Sequence, residues 1–168
     1  MIVAAILCQI ALLAYHQATT LLDLFPFNGV RHASRHERLV EAAVNAVLMV
    51  LAPIGFVFHI RGLMIYGVVY YFVLLFFEIV IWWIPYLGDP SGRWRRVYNV
   101  LLAIATTSYG EADALADWAA RHRRLHAGTI TLLPAGRGPV TPNLEHVILH
   151  ALTVLTAVVT AAAFPAAR

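Results

Sequence analysis

The sequence predicts an all-α integral membrane protein: a four-transmembrane-helix bundle with a cytoplasmic interfacial helical insertion between helices 3 and 4. Three observations carry that expectation. Of the 168 residues, 61% are hydrophobic and only 12% charged, with a mean hydropathy of +0.73. Apolar runs over about 1–25, 38–60, 63–84 and 143–164 each reach the ~20 residues that a helix needs to cross a bilayer. The runs also lack the strict alternation of polar and apolar residues that marks a barrel, the other architecture able to satisfy its backbone in lipid. The chain reads as a single membrane domain over 1–168.

Composition narrows the function classes. The formal net charge is +3, but the arginines flank the apolar runs and form no recognition helix. They read as topology signals, and nucleic acid is not an expected partner. A lone Cys8 rules out an internal disulfide and a thiolate metal cluster. The opening run lacks the basic start of a signal peptide and is read as a retained first span.

The first run stops at Pro26, which cannot continue a helix interior. Its second half carries His16, Gln17, Thr20 and Asp23, of which His16, Thr20 and Asp23 share a face; Asp23 is expected among lipid headgroups. After a short loop, Ser34 and Glu37 have the spacing of a capping box and should start the second helix. Pro53 and Gly55 mark a kink. Glu41 and Asn45, four apart, fall on one face near its start, where Glu41 suits the helix dipole and Asn45 an interhelical hydrogen bond. A tight turn over 58–63 makes a hairpin of spans two and three. The third span contains one charge, Glu78, and ends in the aromatic belt Trp82-Trp83-Ile84-Pro85-Tyr86.

From about 93 to 127 the chain becomes amphipathic. Trp94, Val97, Tyr98, Leu101, Leu102 and Ala105 form a helical apolar stripe beside Arg93, Arg95 and Arg96, which predicts an interfacial helix. Ser108 and Glu111 repeat the capping-box spacing ahead of a second helix. Asp113, Asp117 and Arg121 are spaced for pairing along that helix, with Leu115, Trp118 and Leu125 on its apolar side. The run Arg121, His122, Arg123, Arg124 and His126 is expected to be a solvated face near anionic headgroups. Thr141 reads as the N-cap of the last span, with Pro142 at its first position. Thr153, Ala157 and Ala161 then make a small-residue seam for close packing.

Four spans place Arg31, Arg35 and Arg38 on the same side as the seven arginines of the long loop, from Arg93 to Arg137. By the positive-inside rule that side is cytoplasmic, both termini are extracytoplasmic, and the chain is a multi-pass protein of the plasma membrane. Depth can then be compared between helices. His16, Gln17, Asn45, Glu78, His146 and His150 all fall in the cytoplasmic half, while the outer halves hold few polar residues. Intramembrane polar groups are costly, so their confinement to one half predicts a polar chamber open to the cytoplasm.

Asn143, His146 and His150, at i, i+3 and i+7, share one stripe of the last helix; Glu145 lies off it and is expected only to cap the dipole. Burial favours uncharged forms, so Glu78 can donate a proton beside neutral imidazoles. The expected function is therefore acid–base chemistry, isomerisation or cyclisation, on a lipid-like or isoprenoid substrate. Glu78, His146, His150, His16 and Asn143 are the expected catalytic groups, and Asn45, Glu41, Tyr71, Trp82 and Gln17 line the substrate site. An alternative uses His146, His150 and Glu78 as metal ligands, a nitrogen and oxygen set suited to Zn or Fe, or His146 or His150 with His16 about a haem. A third alternative is a structural or accessory subunit whose polar cluster locks the bundle. Expected partners are membrane lipids and an apolar small molecule, with oligomers of the chain left open.

Overall fold

The computed structural model describes residues 1–88, 92–106 and 113–165; the expected capping box at Ser108 and Glu111 lies outside them. The described residues contain helices and no strand. Four helices are long and apolar enough to cross a membrane: α1 (Ile2–Leu21), α2 (Arg35–Val57), α3 (Arg61–Leu87) and, last in the chain, α6 (Leu144–Ala163). Between α3 and α6 lie α4 (Gly92–Thr106) and α5 (Ala114–Leu125). The four long helices turn apolar side chains outward, with Val3 70%, Val47 63% and Val158 57% exposed, so the flanks of the bundle are apolar.

Helix α1 ends four residues earlier than its apolar run. Leu22 leaves the helical region at φ −96° and ψ 134°, and the last carbonyls of α1, which have no partner inside the helix, are taken by a side chain from the following loop. Asn28 is fully buried. Its Nδ2 donates to the carbonyls of Thr19 at 2.8 Å and Leu22 at 2.9 Å, while its Oδ1 accepts from the Leu24 N–H at 3.0 Å. Asn28→Ala strands these groups and is expected to cost about 1–3 kcal/mol, read as a lowered melting temperature of the detergent-solubilised protein. An unchanged melting curve contradicts that role.

The capping box predicted for α2 is present: Ser34 Oγ accepts from the Glu37 N–H and the Glu37 carboxylate accepts from the Ser34 N–H. The helix continues through Pro53, and the α2–α3 turn closes with the Ile60 N–H on the Gly55 carbonyl at 2.9 Å. The two helices touch closely at this end. A Cβ on Gly67 would lie 2.8 Å from that of Ala52, a contact that only glycine permits without displacement. Helix α6 packs on α1 along a polar seam in which Gln9 Nε2 donates to Thr160 Oγ1 at 3.0 Å and Thr156 Oγ1 to the Cys8 carbonyl at 3.4 Å. The half of the bundle expected to be nearly free of polar groups therefore holds a buried amide–hydroxyl pair.

Helix α3 departs from regular α geometry at Ile79–Trp83, a π-helical turn. Pro85 explains its position. A proline has no N–H and its ring clashes with the carbonyl four residues back, here Ile81; a widened turn relieves that contact. The carbonyls this leaves without a backbone donor are taken by side chains from the insertion. Trp118 Nε1 donates to Ile81 O at 2.9 Å and Tyr98 OH to Val80 O at 2.7 Å. The distortion of α3 thus forms the docking site for α4 and α5.

In α4, Tyr98 and Leu102 are buried, whereas Trp94 and Val97, expected on the same stripe, are 66% and 52% exposed. The charges of α5 also pair differently from the expected i, i+4 ladder. Asp113 caps the helix and binds Arg95 at 2.7 Å, and Arg121 reaches Glu37 of α2 at 3.5 Å. Tertiary partners outcompete neighbours on the same exposed turn, whose mutual attraction is only a few tenths of a kcal/mol.

Candidate functional site

A cavity of about 760 Å³ lies at the end of the bundle that carries the arginine-rich loops, and α1, α2, α3, α5 and α6 all contribute to its wall. It receives seven of the residues singled out from sequence: His16, Glu41, Asn45, Glu78, Trp82, His146 and His150. Three others lie elsewhere. Gln17 Nε2 donates to the Ala42 carbonyl at 3.1 Å, tying α1 to α2. Tyr71 is fully buried in the core with Leu12, Met49, Ala52 and Ala157. Asn143, not Thr141, is the N-cap of α6, because its extended backbone lets Oδ1 accept the His146 N–H.

Two groups at the cavity are aimed by dedicated partners. Glu78 is 6% exposed, and its Oε1 accepts from Thr153 Oγ1 at 2.8 Å. His150, three residues before Thr153 on the same face of α6, accepts at Nδ1 from the Trp83 indole N–H at 3.0 Å. In neutral imidazole that bond leaves the proton on Nε2. Glu78 Oε2 and His150 Nε2 are buried without a hydrogen-bond partner among the described residues.

Trp82 is the hub of the adjoining aromatic wall, 6.1 Å from the His150 ring. Its ring lies 3.8 Å from that of His146, and it meets Trp118, His122 and His126 edge-on at 5.3, 5.2 and 5.5 Å between centroids. His122 and His126 were expected on a solvated basic face. His122 is instead 8% exposed, and His126 lines the cavity. Leu115, Trp118, His122 and His126 stand at i, i+3, i+7 and i+11, a helical stripe that the surrounding arginines obscure. Burial lowers His122 to about 4, and burial together with the nearby His122 and His32 lowers His126 to about 3. Both are therefore neutral imidazoles at physiological pH.

Glu145 also departs from expectation. The segment before α6 closes over the helix start, burying Val140 and Asn143, so its first turn faces protein, and Glu145 lines the cavity in addition to standing at the dipole. Tyr15 OH reinforces the arrangement by donating to the Glu145 carbonyl at 2.8 Å. The expected metal set of His146, His150 and Glu78 does not assemble as ligands. Trp83 holds the His150 ring and Thr153 holds Glu78 about one turn further along, while His146 lies against Trp82 and turns Nδ1 to Asn143. The donor atoms that do converge belong to His126, Glu145 and His146, all within 4.8 Å of one another.

No family model, curated protein or solved structure matches the chain.

Proposed function

We propose that the chain is a membrane-embedded enzyme that carries out acid–base chemistry on a lipid-like or isoprenoid substrate in a cytoplasm-facing chamber. The observation that carries this reading is the pair Glu78 Oε2 and His150 Nε2, two titratable atoms at one cavity that are buried without a partner among the described residues. Each belongs to a side chain whose other polar atom is fixed. Leaving buried polar atoms unsatisfied costs about 1–3 kcal/mol each, and such atoms call for a role.

Membrane placement is supported by the four long apolar helices and by the outward Trp94 and Val97 of α4 beside arginines, as suits a helix lying at the interface. The arginine-rich loops then face the cytoplasm and both termini the other side of the plasma membrane. The substrate class follows from the cavity mouth. Val40 and Val44 of α2 line the cavity and are also 48% and 52% exposed, so its edge lies on the apolar flank of a spanning helix. An amphipathic molecule can slide in from the bilayer, leave its chain between α2 and α3, and present its functional end to Glu78 and His150. The Glu37–Arg121 ion pair links α2 to α5 beside this mouth, with Glu41 and Asn45 as polar lining.

In this scheme a protonated Glu78 delivers its proton from Oε2 to one carbon of an alkene, the carboxylate so formed takes a proton from another carbon, and the Nε2–H of His150 donates a hydrogen bond that holds the substrate's functional end. Isomerisation or cyclisation of an unsaturated chain needs no other reactant: one C–H bond forms, one breaks, Glu78 regains its proton, and exchange of that proton with water between turnovers carries solvent hydrogen into the product. The test is solvent exchange. Purified protein is incubated in deuterated water with a lipid extract of the membrane in which it was made, and the extract is analysed by mass spectrometry. Carbon-bound deuterium in one lipid class is expected, and its absence from every class overturns the reading. Val44→Trp, which narrows the mouth, should slow incorporation about tenfold, since an obstruction of ~1.4 kcal/mol suffices for that factor, with melting unchanged. Full activity in that variant argues against access from the flank.

A further inference from the structure

We infer that His126, Glu145 and His146 form a binding site for a divalent transition-metal ion of the zinc class, at the wall of the chamber next to the Glu78–His150 pair, where the His146 and His150 rings are 6.0 Å apart. The three side chains come from two elements, the C-cap of α5 and the first turn of α6, and their donor atoms lie within 4.8 Å of one another. Nitrogen and oxygen ligands about a tetrahedral zinc with bonds of ~2.0–2.2 Å stand roughly 3.3 Å apart, so the difference is within the span of side-chain rotation. Two imidazoles and one carboxylate suit Zn²⁺ or Fe²⁺, with no thiolate to favour a softer ion. All three residues line the cavity, which leaves a fourth coordination position directed at it, the arrangement of catalytic rather than structural zinc.

The surroundings are those of a built site. Metal-bound histidines donate their second ring N–H to a neighbouring acceptor, and Asn143 Oδ1 is such an acceptor for His146 Nδ1. Glu145 is 9% exposed and, among the described residues, has no arginine partner at hydrogen-bonding distance, so a bound cation would supply the counter-charge that a buried carboxylate needs. The two elements are locked in register. The Leu144 N–H donates to the Ile130 carbonyl at 2.8 Å and the Ile130 N–H to the Pro26 carbonyl at 2.9 Å. Gly29 lies so close to the Leu125 carbonyl oxygen that a Cβ there would sit 2.0 Å from it. The α1–α2 loop thereby clamps the end of α5 that presents His126.

The ion does not depend on the acid–base reading, because uptake is measured without turnover. Full-length protein in detergent is stripped with a chelator, then titrated with Zn²⁺ alone and with Co²⁺ as a visible reporter. One equivalent per chain is expected. Glu145→Gln and His126→Ala should weaken binding at least about 100-fold, and Asn143→Ala about 10–100-fold, while His150→Gln and Glu78→Gln bind as the wild type does. Absence of uptake by folded wild type overturns the site, as does uptake that survives both Glu145→Gln and His126→Ala. Equal loss in His150→Gln also overturns it. If a ligand variant fails to fold, X-ray absorption at the zinc edge of the loaded wild type decides: two imidazoles with light-atom ligands support the triad, and any other histidine count contradicts it.

Discussion

Glu78→Gln should reduce solvent deuterium incorporation into the lipid substrate by about 10²–10⁴-fold, the usual contribution of a positioned acid or base, while leaving the bundle folded. The substitution is nearly isosteric. Thr153 Oγ1, now 2.8 Å from Glu78 Oε1, can still donate to the amide oxygen, so the side chain keeps its place and loses only its capacity to exchange a proton. The expected signature is a melting temperature close to wild type beside a rate near background. Retained incorporation per folded molecule would remove Glu78 from the chemistry and leave it a packing role. His150→Gln provides the matching test from the other side, since the Trp83 N–H retains an acceptor there.

Trp82→Ala has the largest expected effect on stability. The ring is 6% exposed and touches α5 through Trp118, His122 and His126 and α6 through His146, so no single neighbour can collapse into the space. Deleting a buried tryptophan typically costs about 3–5 kcal/mol. The loss should be concentrated where α5 meets the bundle. Hydrogen exchange is expected to accelerate over 114–130 while the α1–α6 seam, held by the Gln9–Thr160 bond, stays protected. Trp82→Phe should recover part of the stability because it keeps an aromatic face against His146. A melting temperature within a degree of wild type and unchanged exchange over 114–130 would contradict the hub role.

The helical framework was legible because it is written in local signals. Long apolar runs gave α1, α2, α3 and α6, the Ser34–Glu37 spacing gave a capping box found as expected, and the confinement of polar residues to one half pointed to the end that holds the cavity. What escaped depends on distant partners. The π turn at Ile79–Trp83 needs Trp118 and Tyr98 to take its free carbonyls, and no window of sequence contains all three. Asn28 reads as an ordinary loop residue until the chain folds back over the end of α1. His122 and His126 were assigned to a solvated face and Glu145 to the helix dipole, yet the segment before α6 and the docking of α5 bury His122 and Glu145 and turn His126 to the cavity. Tyr71 shows the converse. Its aromatic ring, two turns from Glu78, suggested a pocket wall, but α1 and α2 close over it to make core.

Native mass spectrometry of the wild-type protein released from lipid-filled membranes most directly tests whether the chamber receives a molecule from the bilayer. One amphipathic molecule retained per chain is expected, at an occupancy sharply reduced in Val44→Trp and preserved in Glu78→Gln, because the first narrows the mouth and the second alters only proton transfer. A wild-type chain that retains nothing, or a retained lipid indifferent to Val44→Trp, would contradict a substrate chamber fed from the membrane.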